Sequence, residues 1–316
     1  MASPTDAPEP RDVITAARSA VSDNRQSAHL YAHFLRFIKR PRTREELVDD
    51  RPNSSAFTAI FKLYALQLPL MACAIVVISM IGNSLSSPKG ITEFVAQSSA
   101  LQLVLMAVIV APIGEELVFR TPLIAARWVL AIWLLLVSAV MGVYADTLLG
   151  VGPSGAIALA SAFAVAGFAA LLMPRRWFQA IRDGHRRSFF VLFWVSVLAF
   201  GFLHLSNYSS EQKATVLAPL LVLPQLIAGV FLGYLRVVYG LTSAIALHML
   251  NNSLAVVPVA LLSTANINVA KLGSGLDTAA MSTAQQVAVF GASAYFLLIV
   301  GGGMVVLLAM LSALPG

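Results

Sequence analysis

Residues 101–120 read LQLVLMAVIVAPIGEELVFR, and the fold turns on how that stretch is taken. An apolar run from Leu101 to Ile113 ends in two adjacent carboxylates, Glu115 and Glu116, followed by Arg120. In hydrocarbon such charges cost a few kcal/mol or more each unless paired or hydrated. The rest of the chain shows that hydrocarbon is the relevant solvent. Of 316 residues, 58% are hydrophobic and 11% charged, against about 25% charged in soluble domains. Collagen-like, disordered and disulfide-scaffold classes fall to the same numbers. The single cysteine, Cys73, cannot close an internal disulfide and sits in an apolar run. A polytopic membrane protein remains.

Working outward, eight apolar stretches follow one another, at about 57–81, 94–122, 128–149, 155–173, 189–206, 214–235, 240–263 and 285–312. Most reach the ~20 residues that cross a hydrocarbon core, and lipid requires each to be helical. The expected fold is all-α, a bundle of about eight transmembrane helices (57–316) with a cytoplasmic N-terminal arm (1–56). The arm holds nine of the 21 basic and eight of the 15 acidic residues and lacks a secretory signal. Leu30, Tyr31, Phe34, Leu35, Phe37 and Ile38 gather on one side of a possible helix, with Arg36, Lys39, Arg40, Arg42 and Arg44 close by. Two readings fit: an amphipathic helix on an anionic inner leaflet, or a partly ordered tail.

The net charge of +6 bears on orientation rather than on nucleic acid, because cytoplasmic loops collect Lys and Arg. The next basic cluster is Arg175, Arg176, Arg182, Arg186 and Arg187, whereas the expected outer loops carry only Lys89, Lys213 and Lys271. Both termini are therefore expected in the cytoplasm. Gly301, Gly302 and Gly303 in the last span suggest close helix packing.

Few ionisable residues fall inside spans. Lys62 can snorkel to the interface, and Asp146 closes the third span at the outer surface. The others form three motifs. In the first, Glu116 and Arg120 stand four apart and share a helix face, while Glu115 points roughly 100° away without a partner on its own helix. Glu115 is thus left as a candidate base, with the paired residues as its scaffold. The alternative is a solvated helix end. In the second, Phe200 lies one turn before His204 and can pack over its ring; a structural histidine bonded to a carbonyl is the competing reading. In the third, His248 and Asn252 are four apart and project the same way. They share a polar target or form an interhelical hydrogen bond. The cheapest arrangement of all these groups is one hydrated pocket.

EELVFR, FGFLHL and HMLNN, in that order on separate helices, carry the EExxxR, FxxxH and HxxxN pattern and resemble the CPBP family of CAAX prenyl endopeptidases and bacteriocin-processing enzymes. The resemblance covers about 94–263. It implies peptide-bond hydrolysis at the membrane, with Glu115 and His204 activating a water and His248 and Asn252 facing the oxyanion. Glu116 and Arg120 would fix the geometry, with Phe200 in support, and either glutamate could be the base. The family's Glu-bearing helix usually leads through a short amphipathic stretch to the FxxxH helix; here the spans 128–149 and 155–173 intervene.

Other chemistries use the same residues. Glu115, His204 and His248 would suit zinc, although HExxH is absent and the Asn252 amide oxygen is a poor zinc ligand; no cofactor is favoured. Gly152-Pro153-Ser154-Gly155 resembles a rhomboid nucleophile motif out of its usual order. A transporter or an inactive membrane regulator would also keep buried Glu, His and Arg, though a transporter would often show internal repeats. The expected partners are membrane lipids and a membrane-associated peptide or protein, and the expected place is a prokaryotic plasma membrane. One tension stands. On these boundaries Glu115 lies toward the cytoplasmic end of its helix and His204 toward the outer end of its own. They can meet only if a helix is irregular, and Pro112 and Pro122 point to the Glu-bearing one.

Overall fold

The computed structural model describes residues 26–81, 97–208, 216–267 and 281–311, and among these every regular element is helical. Lys89, Lys213 and Lys271 lie outside the described residues. Helix α1 spans 26–39 and leads through a 3-10 turn, Glu45–Asp50, to α2, Ala56–Ile81. Helix α3, Ala100–Leu123, changes pitch along its length: α-helical at Ala100–Leu103, π-helical at Val104–Val110, α-helical at Ala111–Arg120, and 3-10 at Thr121–Leu123. Helices α4, Arg127–Leu149, and α5, Gly152–Leu172, form a hairpin. Then come α6, Arg175–Arg187; α7, Phe189–Leu203; α8, Leu223–Val238; α9, Leu241–Thr264; and α10, Thr283–Leu311.

Among the described residues seven helices are long and apolar enough to cross a membrane: α2, α3, α4, α5, α7 with its extension to Asn207, α9 and α10. In the α4 and α5 windows only 17% is buried inside the protein, so most of their apolar surface meets lipid. The protein is an integral membrane protein. The sixth stretch, 214–235, differs from expectation. Its helix α8 has 16 residues, about 24 Å at 1.5 Å per residue, short of the ~30 Å core. It is apolar because it is central. Leu232, Tyr234, Leu235 and Val237 are fully buried, enclosed by α2, α7 and α9. A helix apolar on all sides signals burial as well as spanning.

The arm joins this core. Leu30, Phe34 and Phe37 of α1 are buried, with the Phe34 ring 4.6 Å from that of Phe231 and Phe37 5.2 Å from Phe193. The apolar face of α1 therefore rests on α7 and α8, not on a leaflet. Lys62 does not snorkel either. It is buried and donates from Nζ to Ser27 Oγ at 2.6 Å, because α1 covers the start of α2. Tyr31 Oη donates to the Lys62 carbonyl at 3.0 Å.

The spans 128–149 and 155–173 form the α4–α5 hairpin, closed by Gly150 and Gly152 at positive φ, with the Gly152 amide donating to Asp146 Oδ1 at 2.8 Å. A short amphipathic helix still precedes the FxxxH helix: it is α6, carrying the whole basic cluster. Glycine packing lies elsewhere than expected. A Cβ on Gly301 or Gly302 would meet nothing within 4 Å, whereas one on Gly233 would come within 2.7 Å of the Phe193 ring. Gly233 is what lets α8 approach α7.

Two measurements test this packing. Phe34→Ala should lower unfolding stability in detergent by about 3 kcal/mol, the scale for a buried phenylalanine. His33, on the same helix, is buried with Nδ1 2.8 Å from Tyr234 Oη, and burial pulls its imidazole from 6.5 down to about 4. The folded chain thus refuses a proton that the unfolded chain takes. Stability should be complete above pH 6.5 and fall as pH drops toward 4. A His33→Gln variant should flatten that limb of a pH-dependent unfolding curve.

Candidate active site

The site begins with a proline. In the π-helical part of α3 the Ala111 amide donates to the Met106 carbonyl, five residues back. The next amide in that pattern would serve Ala107, but it belongs to Pro112, which has no N–H. The Ala107 carbonyl is left free, and Asn252 Nδ2 of α9 donates to it at 2.8 Å. The extra backbone width of the π-helical turns and this side-chain bond set the helix that carries Glu115. Asn252 keeps its second amide hydrogen and lines the same cavity as Glu115.

Glu116 and Arg120 form the expected pair. Both side chains are 0% exposed, with Oε2 and Nε 3.5 Å apart. The far side of the guanidinium is held by α7, where Nη1 donates to Ser196 Oγ at 2.7 Å and to the Ser196 carbonyl at 3.3 Å. Ser196 Oγ in turn donates to the Phe119 carbonyl at 2.7 Å. The guanidinium carbon lies 4.7 Å from the centre of the Phe200 ring. On α8, Gly229 leaves room: a Cβ there would lie 3.5 Å from Arg120 Nη2. Arg236, also on α8, donates from Nε to the Arg120 carbonyl at 3.0 Å.

The histidines meet Glu115. His204 Nε2 and His248 Nε2 each lie 3.8 Å from Glu115 Oε2, a buried oxygen without a hydrogen-bond partner. The apparent difference in height is removed by the irregular α3 and by the 3-10 turn His204–Asn207 that ends α7. Phe200 packs on both rings, at 4.9 Å from His204 and 5.4 Å from His248. A cavity of about 440 Å³ opens against these groups.

The other ring nitrogens define the protons. His204 Nδ1 lies 2.8 Å from the Phe200 carbonyl. A carbonyl only accepts, so Nδ1 carries the hydrogen. His248 Nδ1 lies 3.1 Å from Glu116 Oε1, and a carboxylate in an arginine pair likewise accepts. In the neutral form each Nε2 then presents a lone pair to Glu115 Oε2. Lone pairs facing a carboxylate oxygen require a hydrogen donor, a proton or a cation between them. Glu115, His204 and His248 are the residues that could hold a metal.

Every sequence-derived site residue except those of the GxSG alternative comes to this place. Ser154 instead starts α5 and is not among the residues lining the cavity. Ser196, Arg236, Asn207, Gln225 and Asn251 were missed. Ser196 had a signal, since it precedes Phe200 by four residues and His204 by eight, on one helical stripe. Gln225 and Arg236 are single polar residues in apolar stretches, Asn207 lies in a polar run, and Asn251 stands inside HMLNN without a spacing of its own.

An all-helical membrane bundle bearing EExxxR, FxxxH and HxxxN on α3, α7 and α9 is of the intramembrane CAAX-protease class. Residues 97–254, half of the chain, match the family described as type II CAAX prenyl endopeptidase Rce1-like, and the chain belongs to that family. No curated protein and no solved structure matches it.

Ser196→Ala removes the bridge between Arg120 and the Phe119 carbonyl. It should cost about 1–3 kcal/mol of stability in detergent, the penalty for stranding buried polar groups, as read by thermal unfolding.

Proposed function

We propose that this protease hydrolyses peptide bonds of membrane-associated peptides or proteins with a water activated by Glu115, without a metal. The observation that carries the reading is the approach of two imidazole nitrogens to one unpartnered oxygen of Glu115 at the wall of a cavity. A water there has a base in Glu115 Oε2 and a positioning acceptor in His204 Nε2. Glu115 takes one proton from the water, its oxygen attacks the carbonyl carbon, and the carbonyl π electrons move onto the oxygen. The oxyanion electrons then re-form the carbonyl as the C–N bond breaks, and the proton on Glu115 passes to the leaving amine.

The oxyanion is met by His248. Because Nδ1–H is committed to Glu116, Nε2 can donate only from the imidazolium. The charges allow this: Glu115, Glu116 and Arg120 sum to minus one, and the imidazolium brings the cluster to neutral. The second amide hydrogen of Asn252 is the other candidate donor. Such donors typically contribute a few kcal/mol each. Glu116 is thus assigned to orientation and Glu115 to the base.

A zinc-dependent reading draws on the same convergence, since two imidazoles and a carboxylate are a donor set zinc accepts. The metal-free reading is favoured because His248, oriented by Glu116, and Asn252 make a donor set for an oxyanion.

Ion pairs between Arg186 and Glu46 at 3.0 Å and between Arg182 and Glu45 at 3.8 Å hold the end of the arm against α6. The two basic segments therefore share one face of the bundle, which supports a cytoplasmic placement of the arm by charge bias. A prokaryotic plasma membrane suits this arrangement. There, lipids and secreted-peptide precursors or membrane proteins are the natural partners.

With purified protein and a cleavable membrane peptide, Glu115→Gln should lower kcat by about 100-fold or more, the scale of a lost general base. Glu115→Gln activity equal to wild type would sink the protease mechanism. Activity that survives exhaustive chelation supports the metal-free version, and loss restored by added zinc would replace it with the zinc one.

A further inference from the structure

The link between α5 and α7 is itself a helix, α6. Residues 173–188 read MPRRWFQAIRDGHRRS, and Pro174 closes the apolar run of α5 and caps the next helix, which starts at Arg175. Only Met173 and Pro174 separate α6 from α5, and only Ser188 separates it from α7. Both neighbours are long and apolar enough to cross a membrane. The two ends of α6 are therefore held at one boundary of the hydrocarbon, and the helix lies along it.

One side of α6 is committed to protein. Arg182 and Arg186 pair with Glu45 and Glu46 of the arm, and Gln179 and Asp183 line the cleft between them. His185 Nε2 lies 3.0 Å from the Pro122 carbonyl at the end of α3, and the Arg127 guanidinium stands over the Phe178 ring at 5.6 Å. The opposite side is open. Trp177, Ala180, Ile181 and Gly184, spaced by three and four residues, make one exposed stripe. Trp177 is 61% exposed. Arg176 and Arg187 stand close to three full turns apart and so flank the stripe on the same edge. Among the described residues neither guanidinium has an ion pair or a hydrogen bond to protein.

The chemistry of this face selects its occupant. An apolar stripe at a hydrocarbon boundary is covered by acyl chains, and tryptophan is enriched at that depth. An open hollow lined by Met173, Arg176, Trp177, Ala180 and Ile181 sets one cation beside four apolar side chains. A phospholipid offers the complement, a phosphate beside acyl chains. Charge bias alone would be served by arginines on any side of the helix, because it counts residues and not faces. A headgroup contact needs them where they are, with aliphatic stems along the apolar surface and guanidinium groups reaching phosphate. The anionic-leaflet contact that the sequence offered to α1 falls to α6, whose apolar stripe is left uncovered.

We infer that the exposed face of α6 docks anionic phospholipid, with Trp177 and Ile181 among the acyl chains and Arg176 and Arg187 on headgroup phosphates. On the charge-bias reading the leaflet is the cytoplasmic one, which carries the negative surface potential. The docking does not depend on the hydrolase reading.

The test reads tryptophan fluorescence of the full chain in phosphatidylcholine nanodiscs in which a minor share of the lipid is brominated on its acyl chains. In one arm the brominated lipid is phosphatidylglycerol, in the other phosphatidylcholine. Subtracting the signal of Trp177→Phe isolates Trp177 from the other tryptophans. Trp177 should be quenched in both arms, with phosphatidylglycerol bound about tenfold more tightly, since each basic residue near an anionic surface contributes about fivefold. The preference should fall to about twofold in about 1 M NaCl, where the Debye length is about 3 Å. Arg176→Gln with Arg187→Gln should remove it. Arg182→Gln with Arg186→Gln takes the same charge from the opposite face and should leave it within about twofold of wild type. Quenching by neither lipid overturns the proposal and is the result expected if an acidic protein covers this face. Equal binding of the two lipids at low salt overturns it as well, as does an equal loss in both double variants. A preference abolished by inorganic phosphate, but not by chloride at equal ionic strength, would replace the lipid with a free anion.

Discussion

The ion pair between Glu116 and Arg120 is the constraint on which the site depends. Neither side chain has exposed surface, and taking two charges out of water costs several kcal/mol per ion unless their remaining valences are met. Each group that meets them fixes one part of the bundle. Ser196 ties α7 to the guanidinium, and Phe200 lies against its face. Gly229 admits it into α8, while Arg236 holds the carbonyl of the same residue. His248 closes the other side of Glu116. One buried pair thereby orients three neighbouring helices around α3 and leaves Glu115, one residue away, without an internal partner.

A second constraint acts along α3. Pro112 removes a backbone donor, the π-helical turns free a carbonyl, and Asn252 takes it up. The amide thus links α9 to the helix that carries Glu115, besides facing the cavity. The same irregularity brings Glu115 to His204, which regular helices of the expected lengths would hold apart. Outside the family core, α1 covers α7 and α8, and the ion pairs of Glu45 and Glu46 with α6 fasten the basic helix that enters the FxxxH segment. The inserted α4–α5 hairpin touches α3 through Trp133 Nε1, which donates to the Val118 carbonyl at 2.6 Å.

What could be read in advance divides by the cost of a residue in hydrocarbon. Glu115, Glu116, Arg120, His204 and His248 stood out because charged and titratable groups are expensive there and must be brought together. Lys62 obeyed the same rule but was misassigned, since nothing in its neighbourhood told a lysine that snorkels from one capped by Ser27 on a helix 35 positions earlier. The stretch 214–235 was taken for a span because apolarity on every side is common to helices in lipid and helices at the centre of a bundle. Gly301 and Gly302 invited a packing role that Gly201, Gly229 and Gly233 serve instead.

By itself, then, the sequence determined the membrane class, the helical architecture and the titratable members of the site. Those follow from solvation, which depends on residue type and on the length of apolar runs. Only the tertiary structure decided that α8 is central, that α1 is part of the core, and that Asn252 serves Ala107. It alone showed that Gln67 meets Asn251 across 184 positions. Neutral amides and hydroxyls are inexpensive enough to occur anywhere in a span, and what they do depends on which partner the packed helices place within about 3 Å of them.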